Sequence, residues 1–181
     1  STTTESGKPA AYGLLHAAAF DGHLELVREL LRRGASVSLP TSGGSTALMD
    51  AAFYGHLSIV LVLLQHSANP DPQSNKGITA LMTAADGGHE ACVQALLRAK
   101  ANPDLQDENG GTALMGTAGL GRHAWVKALL RAKANPELLD EDGRTALQWA
   151  EIRGHTATAE LLRQHAAPPQ PAAAAPAAPP D

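Results

Sequence analysis

Apolar positions along this chain fall into a short pattern that returns at regular intervals. Between residues 57 and 65, Ile59, Val60, Leu63 and Leu64 stand three and four residues apart, the spacing that lines one side of a helix. Leu26, Val27, Leu30 and Leu31 carry the same stripe one interval earlier. The spacing predicts a helix over 57–65 with that stripe in a core. Upstream, Thr46 precedes a second apolar stretch and can act as a helix N-cap, its hydroxyl accepting from an unpaired amide in the first turn. This predicts a shorter first helix over 47–54, ended by Gly55. Small pairs (Ala18-Ala19, Ala51-Ala52, Ala84-Ala85) fall on its inner face and let neighbouring helices approach closely. The polar, Gly-containing stretch Gln73 to Gly77 is too short for a helix and suits a hairpin tip.

The interval is constant. Gly22, Gly55, Gly88, Gly121 and Gly154 follow one another at 33 residues, in register with Thr46, Thr79, Thr112 and Thr145 and with Gly44, Gly77, Gly110 and Gly143. Residues 95–103 and 128–136 are identical (ALLRAKANP), a mark of duplication within the chain. One such unit cannot bury its own stripe, so the units must stack into a continuous core. The fold class predicted is an all-α repeat solenoid of about five helix-turn-helix units with short hairpin loops.

Composition narrows the function. With 181 residues, 44% of them hydrophobic, the chain can bury a core without metal or disulfide. A formal net charge of −4 offers no electrostatic footprint for nucleic acid or an anionic membrane surface, and no apolar run approaches the roughly 20 residues that span a bilayer. The single cysteine, Cys92, fits a reducing compartment and equally a secreted repeat protein held by packing alone. A cytoplasmic location is the reading adopted, with the nucleus as the alternative. The chain begins at Ser1 without an initiator Met and is expected to be a processed product or a piece of something longer.

Within each unit, Asp-x-x-Gly-x-Thr-Ala-Leu is followed by Ala-Ala-x-x-Gly-His and then a Leu-Leu pair, most clearly in 107–121 (DENGGTALMGTAGLG) and 140–155 (DEDGRTALQWAEIRGH). This resembles the ankyrin repeat over about residues 8 to 167. Met49, Met82 and Met115 depart from it where the family places histidine, while His16 keeps that position. Gly34 matches the glycine after the second helix, but Ser67, Lys100 and Lys133 stand at the equivalent places, where a left-handed backbone disfavours a side chain. The resemblance implies a repeat domain over 11–167 with units at about 11–40, 41–73, 74–106, 107–139 and 140–167, preceded by a flexible lead over 1–10, while the composition of 168–181 reads as a Pro/Ala-rich linker. The resemblance also implies a concave face, built from hairpin tips and the exposed side of each first helix, on which partners dock.

Carried over position by position, that face takes Tyr12, Asn75, Lys76 and Ile78 from the tips. From the first helices it takes Phe20, Asp21, Asp50, Phe53, Tyr54, Asp86, Leu120 and Trp149. Four of the six aromatic residues (Tyr12, Phe20, Phe53, Tyr54) are among them, and exposed aromatics are the anchors that protein interfaces concentrate. The plainer alternative is that Phe20 and Phe53 only pack between first helices. Trp125 falls on the core stripe and reads as structural. Carboxylates gather near the tips of the later units (Asp104, Asp107, Glu108, Glu137, Asp140, Glu141, Asp142), where a basic segment could bind or where they serve as a solvated edge. Arg32, Arg33, Arg98, Lys100, Arg131 and Lys133 lie at second-helix ends, where the helix dipole favours cations.

His23, His56, His89 and His155 recur one per unit, and no histidine pair has zinc-site spacing, so no metal is expected. No nucleophile with a recognisable base and no phosphate-cradling loop is present, so no catalysis and no cofactor are expected. The reading is a non-catalytic protein-interaction module, monomeric in isolation, that binds another protein or peptide, with the concave face of the first three units favoured. The alternatives are a structural spacer or block of a larger scaffold, or a targeting or inhibitory domain tethered to an enzyme beyond the linker.

Overall fold

The computed structural model describes the backbone of residues 7–166 and side chains from Gly13 onward; the Pro/Ala-rich 168–181 lies outside the described residues. Ten helices follow one another: α1 (Gly7–Asp21), α2 (Leu24–Arg32), α3 (Ala47–Phe53), α4 (Leu57–Gln65), α5 (Ala80–Gly87), α6 (Glu90–Arg98), α7 (Ala113–Gly119), α8 (His123–Arg131), α9 (Ala146–Ile152) and α10 (Thr156–His165). Odd-numbered helices are the first helices of the units and even-numbered ones the second. Each packs on its partner in the same unit and on its counterpart in the next, as a solenoid requires. Helix α1 opens at Gly7, inside the stretch 1–10 that the resemblance assigns to a lead.

The first helices start where the threonines place them. Thr46, Thr79, Thr112 and Thr145 are extended N-caps whose hydroxyls accept from the amides of Met49, Met82, Met115 and Gln148 at 3.2–3.3 Å. The alanine pairs of α1, α3 and α5 are buried, and against them lie Ile59, Val60 and Leu63 of α4 with Val93, Leu96, Val126 and Leu129 of the later second helices. Leu26, expected on this stripe, is instead exposed. It belongs to α2, and among the described residues no second helix precedes α2 to cover it.

The second helices of the first four units end in a left-handed residue. Gly34 adopts it, and so do Ser67, Lys100 and Lys133, with φ of 62° to 65°. The amide after each donates back to the last turn, as Ala101 does to Leu96 O at 3.0 Å, while Lys100 donates to Leu97 O at 3.0 Å. These two bonds satisfy carbonyls that the helix end leaves unpaired, and so offset the strain of a side chain in this conformation. At the far end of the stack the outward residues Glu151, Glu160, Arg163 and Gln164 are exposed, and the Arg163 guanidinium donates to Glu151 and Glu160.

Candidate functional site

Four tips project between units, all closed by the same pair of backbone bonds. Ser74 N–H donates to Ile78 O and Gly77 N–H to Ser74 O at 2.8–2.9 Å, and the Thr41, Asp107 and Asp140 tips repeat this. Adjacent tips are tied together: Asn75 N–H donates to Gly43 O, Glu108 N–H to Lys76 O, and Glu141 N–H to Asn109 O, at 2.9–3.0 Å. Gln73 and Gln106 strengthen the tie, each amide bridging the carbonyls of its own tip and of the next, at 2.8–2.9 Å. Carboxylates fix the turns from within. Asp107 Oδ1 accepts from the amides of Asn109 and Gly111, and Asp140 Oδ1 from those of Asp142 and Arg144. The tips therefore form a rigid row facing the first helices.

Between this row and helices α5, α7 and α9 lies a groove in two connected parts. The larger, about 550 Å³, is lined by Asp86, Met115, Gly116, Gly119, Leu120, Trp149 and Arg153 from the helices and by Asp107, Asn109, Asp140 and Glu141 from the tips. The smaller, about 400 Å³, continues toward Phe53, Ile78 and Met82, and shares Asp86, Asp107, Thr112, Gly116 and Leu120 with the first. Its floor is low because Gly116 and Gly119 stand where the preceding units carry larger residues: Asp50 and Thr83 at the first position, Phe53 and Asp86 at the second.

Of the residues named from sequence, Phe53, Ile78, Asp86, Leu120 and Trp149 come together around this groove. Phe20 and Tyr54 sit at its early end as an aromatic patch: their rings are 4.3 Å apart, and Phe53 meets Tyr54 edge-on at 5.0 Å. The three pack on one another and still stay more than 40% exposed. Asn75 and Lys76 are exposed on a tip, the Asn75 side-chain amide donating to Ser42 O. Asp21 is exposed at the end of α1. Asp50 is turned to internal work, holding the His16 imidazole at 2.7 Å and accepting from the Ser45 hydroxyl. Tyr12 falls in α1, and its side chain lies outside the described residues. Sequence reasoning missed Gly116 and Gly119; comparing residues 33 apart along the first helices would have marked them.

Trp149 forms one wall. Its indole Nε1 donates to Asp140 Oδ2 at 2.8 Å, and the guanidiniums of Arg144 and Arg153 lie over its ring at 4.9 and 5.8 Å. Desolvation works to raise the Asp140 pKa, but the Arg144 amide, the Trp149 indole and the Arg144 guanidinium outweigh it and hold the group below its ordinary value. The carboxylate facing the groove is therefore ionised. His16, by contrast, is raised, chiefly by its bond to Asp50. Burial pushes the Cys92 thiol up, away from the thiolate form a nucleophile needs. Among the described residues, no group of three or more His, Cys, Asp or Glu is placed to hold a metal ion, and no helix is long and apolar enough to cross a membrane.

The chain matches the family model described as ankyrin repeats (3 copies) twice, over residues 14–107 and 81–171. No curated protein matches it. With capped first helices, left-handed ends to the second helices, a row of tied tips and a family match over most of its length, the chain belongs to the ankyrin-repeat family.

Proposed function

We propose that this chain is a non-catalytic protein-interaction module and that its partner, a protein or peptide, lies in the groove between the tips and α5, α7 and α9, in the third to fifth units rather than the first three that the sequence favoured. Family membership supports the general role, since ankyrin repeats typically bind proteins. The observation that carries the site is the set of large apolar side chains at the groove. Phe53 and Leu120 are 42% and 49% exposed, Ile78 is half-buried in the smaller part with them, and Trp149 is half-buried in the larger part with Leu120. Exposed apolar and aromatic groups around a concavity, held on a rigid scaffold, are what an interface uses as anchors. A fold supports many roles, so the partner must be read from the site.

Affinity capture with the chain, followed by titration of the purified captured protein, tests this reading. The Phe53→Ala/Leu120→Ala variant removes only exposed side chains, so its circular dichroism and melting should match the parent. Binding is expected to fall by at least about tenfold. Equal affinity for parent and variant would exclude the groove. Capture of no protein at all would favour the spacer reading over this one.

A further inference from the structure

Gly116 is a glycine that the fold does not need. Most other glycines in the stack have an evident reason: Gly77 and Gly110 sit at positive φ with the next tip's backbone 2.7–2.9 Å from where a Cβ would lie, and a Cβ on Gly87 would meet Phe53 O at 2.3 Å; Gly13 and Gly43, neither of which lines the groove, are exceptions. Gly116 lies inside α7, its φ is not positive, and a Cβ built on it meets nothing within 4 Å. After proline, glycine is the poorest residue for a helix interior. What its missing side chain leaves is space. With Gly119, whose Cβ would lie 3.6 Å from the Trp149 ring, it opens a notch in the floor of the groove at the junction of its two parts.

The notch has apolar walls and an acidic rim. Met115, Leu120 and Trp149 stand around it, while Asp86, Asp107, Asp140, Glu141 and Asp142 place five carboxylates on the larger part against Arg153. Asp142 and Asp140 are both partly answered by Arg144, Asp140 also accepts from the Trp149 indole, and the Asp107 and Asp140 oxygens hold their own turns. Asp86 and Glu141 are exposed, and their side chains make no hydrogen bond or ion pair among the described residues, so their charge faces whatever enters. An acidic rim repels acidic segments and attracts lysine and arginine. The chain's own tail is not the occupant, because 168–181 contains no Lys, no Arg and no large apolar residue.

We infer that the notch over Gly116 and Gly119 receives a large apolar side chain of an extended partner segment whose adjacent lysine or arginine meets Asp86 and Glu141. This rests on the groove reading above and specifies the chemistry of its partner. The sequence motif it selects is a Leu, Ile, Met or Phe flanked by basic residues.

A randomised peptide library displayed on phage and selected on the immobilised chain tests this. Enriched peptides are then synthesised and titrated by fluorescence anisotropy. The parent should enrich basic residues next to a large apolar one. Gly116→Leu, which fills the notch and favours the helix, should weaken the selected peptide by about tenfold or more while melting no lower than the parent. Asp86→Asn/Glu141→Gln should remove most of the salt dependence of binding. Enrichment of acidic or uncharged motifs, no enrichment, or undiminished binding by Gly116→Leu would overturn the inference. A peptide that binds Gly116→Leu fully but is lost with Phe53→Ala/Leu120→Ala would leave the groove standing and remove only the notch.

Discussion

The imidazole Nε2 of His56 lies 2.9 Å from the backbone carbonyl oxygen of Phe20, 36 residues earlier, and so ties the second unit to the end of the first helix before it. His155 makes the same tie to Gly119 O at 3.2 Å, and Arg122, standing where the other units have histidine, reaches Asp86 O at 3.5 Å. The ring needs room beneath it, and glycine provides it. A Cβ on Gly22 would lie 2.7 Å from the His56 ring, on a residue whose φ is already +79°. A glycine of one unit thus makes room for the ring that the next unit sets against it, and at His56 and His155 that ring joins the two by a hydrogen bond.

Gly22→Ala is therefore expected to destabilise by about 2 kcal/mol, from the left-handed backbone and the displaced ring together. In a His56→Ala background only the backbone part should remain. Urea denaturation of the four proteins of this cycle separates the two contributions. Equal costs in both backgrounds would show that the ring yields freely.

Lys100 and Lys133 pay for their helix ends in strain, with φ of 62° and 65°. Replacing either with glycine keeps both C-terminal backbone bonds and relieves the strained conformation. Each change should raise stability by about 1 kcal/mol. Denaturation midpoints that do not move would mean that lysine sits there without strain.

Gly116→Ala should also stabilise, by about 1 kcal/mol, because its methyl enters open space in a helix. A loss of stability would mean that α7 needs its glycine for folding, and the functional account of the notch would lose its basis.

The His16–Asp50 pair makes stability depend on pH. The folded state raises the His16 pKa above its ordinary 6.5, mainly through the bond to Asp50, against the effect of burial. A raised folded pKa stabilises fully below the unfolded value and loses that contribution as pH climbs through the folded one. The melting advantage of the parent over His16→Gln should therefore be larger at about pH 6 than at about pH 9. An advantage that is constant across this range would show that protonation of His16 is not coupled to folding.

Much of the scaffold was readable because it is local. The second helix predicted over 57–65 is α4, Leu57–Gln65, and Thr46 caps α3 as its position before the apolar run implied. The left-handed ends at Ser67, Lys100 and Lys133 could be anticipated from Gly34 at the equivalent place. The groove was less readable because it is made between units. The sequence placed Asp86 on the first-helix face and the other carboxylates near tips without joining them, whereas the structure brings them to one rim and separates Asp107 and Asp140, which hold turns, from Asp86, which is exposed on a neighbouring helix. Leu26 misled for a related reason: the stripe specifies the helix face, but burial also requires a neighbour.

Nuclear magnetic resonance mapping of the isotope-labelled chain against its purified captured partner tests the central claim most directly. The account predicts that the largest shifts fall on Phe53, Ile78, Asp86, Gly116 and Leu120 and on the Trp149 indole, the groups around the groove. Shifts confined to the outer faces of α4, α6 and α8, with the Trp149 indole unmoved, would place the partner elsewhere and contradict it.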